Sequence, residues 1–111
     1  MRTKTQTSET TTLQRLTVLL IQAARPKRII LFGSYARGEA REVSDLDVMV
    51  VEDSLANRAG EMVRLNRLLR SLEIPVDLLV VSAEKFDHWC GTPGNVYFEA
   101  ATEGRSLYEA A

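Results

Sequence analysis

The sequence predicts an α+β fold, a small β-sheet with helices packed against it, and three observations lead there. Short apolar runs at 27–33, 45–51 and 76–81 have the length and β-branched content of buried strands. Between them, apolar residues recur at helical spacing. Prolines and glycines punctuate the junctions. The 111 residues are 45% hydrophobic and 26% charged, a globular balance with room for one modest core.

Leu13, Leu16, Leu20 and Ala23 form one apolar stripe, which predicts an amphipathic helix over 11–24. Pro26 disfavours a helical state at Arg25 and ends it. The first strand, 27–33, closes on Gly33. Ser34 is placed to cap a short helix through Arg37, broken at Gly38, and 39–43 is polar loop. In the second strand, 45–51, the far half is apolar on both faces, which predicts a central position covered by helices. Asp53 or Ser54 is expected to cap a helix over 55–72, with Leu55, Ala59, Met62, Leu65, Leu69 and Leu72 as its stripe. Pro75 interrupts before the third strand. Ser82 reads as the cap of a short helix through Trp89. Thr92-Pro93 reads as the start of a last helix over 93–103, ended by Gly104, and Leu107-Tyr108 as a small edge strand.

Composition excludes several classes. A net charge of −1 argues against broad nucleic-acid binding, which needs a basic face. Cys90, the single cysteine, has no partner for an internal disulfide and no metal-ligand spacing around it. No apolar stretch reaches transmembrane length, and no secretory pattern follows the N-terminus. The expectation is a cytoplasmic protein with no membrane contact, in which 1–12 is a polar tail and 13–111 is the domain.

The chemistry lies in two places. Strand side chains alternate, so Asp45 and Asp47 point the same way, roughly 6.5–7 Å apart along the backbone. Two carboxylates at that spacing reach one hard cation or share a pair, and oxygen-only ligands suit Mg²⁺. Asp77 opens another apolar strand, where a lone buried charge is costly. A neighbouring strand carrying Asp45 and Asp47 explains it through a shared metal. Without a cation, three converging carboxylates raise one another's pKa values. Phe32-Gly33-Ser34 is a strand leading into a short helix, where glycine admits a phosphate close to the backbone and free N–H groups favour an anion. The Ser34 hydroxyl adds a hydrogen bond to a phosphate oxygen, and Arg37, one turn on, is placed to pair with another.

Gly33-Ser34-Tyr35-Ala36-Arg37-Gly38, followed by Ser44-Asp45-Leu46-Asp47-Val48-Met49-Val50, resembles the motif of the DNA polymerase β-like nucleotidyltransferases. The short chain resembles their minimal nucleotidyltransferase branch, antitoxin partners of HEPN-domain toxins, over about 13–108. The resemblance implies a mixed sheet and a two-metal transfer of a nucleoside monophosphate. It implies that Asp45, Asp47 and Asp77 hold two Mg²⁺ ions and that Gly33 and Ser34, with Arg37, hold the nucleotide phosphates. It further implies ATP as the nucleotide and a tyrosine of a HEPN ribonuclease toxin as the acceptor, so that adenylylation neutralises the toxin.

Taken singly, Gly33 is a tight turn and Asp45-x-Asp47 a solvated strand end. Joined in this order, with Asp77 added, they favour the site. Arg58, Arg64, Arg67 and Arg70 read as the wet face of an amphipathic helix. His88 and Cys90 flank Trp89 with no third catalytic member, and Tyr97, Phe98 and Tyr108 read as core and edge aromatics. The alternative functions are a non-catalytic antitoxin that neutralises its toxin by binding, and a nucleotidyltransferase for small aminoglycoside-like molecules. A chain this short leaves little surface to enclose a small acceptor.

Overall fold

The computed structural model describes residues 4–39 and 45–111, with side chains from residue 11 on. Helix α1 (Lys4–Ala24) leads into strand β1 (Arg28–Phe32) and the short helix α2 (Gly33–Arg37). Strand β2 (Leu46–Glu52), helix α3 (Arg58–Leu68) with a 3₁₀ turn at Leu69–Ser71, and strand β3 (Val76–Ser82) follow. Helices α4 (Ala83–Trp89) and α5 (Val96–Glu103) precede strand β4 (Arg105–Glu109).

The sheet has the order β3-β2-β1-β4. β1 runs antiparallel to β2 and β4, while β2 and β3 are parallel, so the sheet is mixed. The parallel pair needs a crossover, and α3 supplies it. β2 is central, as its two-sided apolar composition predicts.

Strand alternation divides the core. Leu46, Val48 and Val50 of β2, with Leu78 and Val80 of β3, face a layer containing Leu16 and Leu20 of α1 and Leu65 of α3. Met49 and Val51, with Ile30 and Val81, face the opposite layer of Phe86 from α4 and Ala100 from α5. Each face is therefore covered, and the near-continuous apolar reading of β2 follows from that.

The boundaries differ from the sequence reading in informative ways. α1 begins at Lys4 instead of residue 11, so residues 4–12, expected as polar tail, continue the helix. Thr12 is buried because it extends the Leu16, Leu20 stripe by one turn. Arg25 takes φ 45, a left-handed residue that ends α1 ahead of Pro26, its N–H returning to the Ile21 carbonyl at 3.0 Å. α3 starts only at Arg58, because Asn57 rather than Asp53 or Ser54 caps it, accepting from the Gly60 N–H at 3.0 Å. Leu55 still packs against the core, but from the loop before the helix. α5 starts at Val96, capped by Asn95 instead of Thr92. Ser82 caps α4 as expected, accepting from the Lys85 N–H at 3.2 Å. Most of the expected 39–43 loop, and Ser44, lie outside the described residues.

Candidate active site

The register of the parallel pair places Asp47 of β2 directly beside Asp77 of β3. On its other side Asp47 is beside Phe32 of β1. The alternation that sends Val48 and Leu78 to the α1/α3 layer sends Asp47 and Asp77 to the α4/α5 face, at the end of the sheet where α2 begins. Asp45 sits one residue ahead of β2 and is exposed, as is Asp77, whereas Asp47 is half-buried.

Gly33 joins the two halves of the motif. It opens α2 with φ 73, a left-handed conformation that glycine alone adopts cheaply. A Cβ on it would overlap the Asp47 carboxylate. The turn and the carboxylate are therefore in van der Waals contact, although 14 positions separate them in the chain (47 less 33). Gly38 ends α2 at φ 74, its N–H turning back to the Tyr35 carbonyl at 3.3 Å. Ser34 does not cap α2: the position preceding the helix is Phe32, which makes no side-chain cap. The Ser34 hydroxyl has no hydrogen-bond partner among the described residues. With only five residues, α2 offers little macrodipole, so anion binding here falls to the local N–H groups of the turn and to Ser34.

Asp47 holds its proton more tightly than an ordinary aspartate. Burial is the main cause, followed by the charges of Asp77, Asp45 and Glu99, with Arg37 opposing them. The contributions of Asp77, Asp45 and Glu99 are the mutual repulsion of converging carboxylates, secondary to burial. Among the described residues, no three His, Cys, Asp or Glu side chains close into a ready-made metal cluster. The donor set nevertheless fits a hard cation: two carboxylates in register on one face, a third two residues along, all oxygen donors, with mutual repulsion that a divalent ion relieves.

Arg37 lies at the end of α2 and is occupied by carboxylates. Its Nε donates to Glu39 at 2.9 Å, and its Nη1 to Glu99 at 3.2 Å and Glu103 at 3.4 Å. Sequence reasoning gave α5 no place in the site. The one available signal was Glu99 and Glu103, four apart and hence on one helix face. The other flagged residues make contacts of their own. His88 stacks edge-on against Trp89 with ring centroids 4.8 Å apart, and Cys90 packs against the α4/α5 layer. Arg58 donates to the Val80 carbonyl at 2.7 Å, and Arg64 to Glu61 and to the Ala23 carbonyl.

The family model described as a nucleotidyltransferase domain matches residues 19–104. A Methanocaldococcus jannaschii protein, named as a candidate protein adenylyltransferase, is 34% identical over 87 residues, covering 76% of this chain and 80% of that protein. Among solved structures, a toxin–antitoxin crystallised with AMP-PNP superposes with a TM-score of 0.65 at 22% identity, covering 88% of this chain and 73% of that one. A candidate nucleotidyltransferase from Sulfolobus solfataricus superposes with a TM-score of 0.65 at 17% identity, covering 98% and 90%. At such identities the two structures speak to the fold, and they share this one. The family match spans the glycine turn, all three aspartates and both layers of the core, and the chain belongs to the nucleotidyltransferase-domain family as an enzyme of that type.

Proposed function

We propose that this nucleotidyltransferase moves AMP from ATP to a hydroxyl of a partner protein, and that the partner is the toxin of a toxin–antitoxin pair. The observation that carries the site is the juxtaposition of Gly33, Asp47 and Asp77: a phosphate-admitting turn pressed against two carboxylates in register. The name of the M. jannaschii relative supports a protein acceptor, and the AMP-PNP-bound toxin–antitoxin neighbour supports the nucleotide and the partner.

In this reading Asp45, Asp47 and Asp77 hold two Mg²⁺ ions, which supply charge neutralisation for the attacking and leaving oxygens. The Gly33–Ser34 turn binds the pyrophosphate portion through backbone N–H groups and the Ser34 hydroxyl. Gly33 keeps that turn close enough to Asp47 for phosphate and carboxylates to meet. Transfer breaks the bond between the α-phosphorus and the bridging oxygen and joins AMP to the acceptor oxygen, with pyrophosphate leaving and the hydroxyl proton passing to solvent. The finer assignment is a tyrosine of a HEPN ribonuclease toxin, neutralised in the cytoplasm. No helix of the described residues is long and apolar enough to cross a membrane.

The test is label transfer from α-labelled ATP with Mg²⁺ to a co-expressed toxin partner, followed by mass spectrometry of the modified residue. AMP on a tyrosine, lost with Asp47→Asn, is the expected result. An unmodified toxin that is still inhibited by the Asp45→Asn/Asp47→Asn form would replace catalysis with simple binding.

A further inference from the structure

α2 is anchored twice. Gly33 lies against Asp47 at one end, and Tyr35 and Ala36 pack on the α1/α3 core. At the other end Arg37 is shared among carboxylates: Nη1 faces both Glu99 at 3.2 Å and Glu103 at 3.4 Å, and Nε faces Glu39 at 2.9 Å. Glu99 and Glu103 stand one turn apart on α5, so both reach the same guanidinium. A cation with three carboxylates is part of a negative cluster. That cluster borders the turn to which the proposed function assigns a triphosphate. An incoming anion therefore meets a guanidinium that is already taken.

We propose that Glu99 and Glu103 are positioning residues that hold Arg37 in reserve, and that the triphosphate of an incoming nucleotide binds by drawing Arg37 off them. The inference rests on Gly33–Ser34 being the triphosphate cradle. Its energetics favour exchange. The side chains of Arg37, Glu99 and Glu103 are 37%, 38% and 51% exposed, so water screens these pairs and each is weak. Arginine–phosphate pairing is charge-assisted and bidentate, as arginine–carboxylate pairing is, and a triphosphate brings more negative charge to the guanidinium than any one of these carboxylates. α2 keeps its place during the exchange because Gly33, Tyr35 and Ala36 fix it independently. Arg37 closes the five-residue helix that Gly33 opens against Asp47, which puts the latch about one turn from the site.

The test is calorimetric binding of Mg·ATP, and of Mg·pyrophosphate, to the full chain. Glu99→Gln/Glu103→Gln is expected to bind both about three- to tenfold more tightly, since it frees two screened pairs. In an Arg37→Ala background the same two substitutions are expected to give a clearly smaller gain, because only their through-space charge is then removed. Unchanged or weaker binding by the double variant overturns the latch. So does an equal gain without Arg37, because the whole effect is then through-space repulsion and not release of the guanidinium. Should the double variant melt well below wild type, Glu103→Gln alone carries the same comparison. Wild-type protein that binds neither ligand removes the triphosphate cradle itself. Wild-type protein that binds both, with no coupling to Arg37, removes only the latch.

Discussion

Glu52→Gln tests whether a carboxyl at the far end of β2 is held protonated by the fold. Strand alternation points Glu52 toward the α3 side of the sheet, away from the face that carries Asp47 and Asp77. Its Oε2 is buried with no hydrogen-bond partner among the described residues. What it faces is Glu61, another acceptor, which Arg64 holds ionised through contacts of 2.8 and 2.9 Å. Two acceptors make a hydrogen bond only when one carries a proton, and burial, then Glu61, push the Glu52 carboxyl from 4.5 up to about 8. The Arg64 hydrogen bonds first, and then the pairing with Glu52, hold Glu61 below its ordinary value.

The sign follows. A raised folded pKa means the native state binds the proton more tightly, so this contribution is fully present below about 4.5 and is lost as pH rises through about 8. An unscreened rise of that size is worth about 5 kcal/mol. Glu52 has solvent on one side, which reduces the expected loss to about 1–2 kcal/mol. Glu61, depressed, loses its contribution only on acidification below about 4.5, outside this window. Glutamine keeps the shape and supplies a permanent N–H for Glu61. Urea unfolding at pH 5, 7 and 9 should therefore show the variant near wild type at pH 5 and about 1–2 kcal/mol more stable at pH 9. A stability difference that does not change across that range would falsify the protonated Glu52–Glu61 pair.

Three further outcomes follow from the geometry. Gly33→Ala places a methyl on the Asp47 carboxylate at a positive φ, so a thermal melt should show a loss of about 1–3 kcal/mol, together with loss of Mg·ATP binding. Asp47→Asn should lower AMP transfer by at least about a hundredfold while melting no lower than wild type in metal-free buffer, since it removes a repelled, half-buried charge. A melting temperature well below wild type would contradict the repulsion at that site. Leu16→Ala, at a fully buried position facing β1 and β2, should cost about 2–5 kcal/mol by chemical denaturation and leave the metal dependence of transfer unchanged.

What the sequence determined by itself was local. Helical stripes, apolar strand runs and turn residues placed every element, because those signals depend on neighbours within one or two turns of chain. The Asp45-x-Asp47 spacing, the glycine before Ser34 and the two-sided apolarity of β2 were all readable for the same reason. Helix starts were less so: Asn57 and Asn95 displaced the expected caps because several polar residues compete near each helix, and the packed stripe decides which one wins. Thr12 joins the buried stripe of α1, whose other side is a sheet the sequence does not display. Tertiary structure alone decided the parallel register that sets Asp47 beside Asp77. It also decided the contact of Gly33 with Asp47, and the arrival of Glu99 and Glu103 at Arg37 from 62 and 66 positions along the chain. These are pairings between distant segments, fixed by how both faces of one sheet are covered, and no periodicity within a segment encodes them.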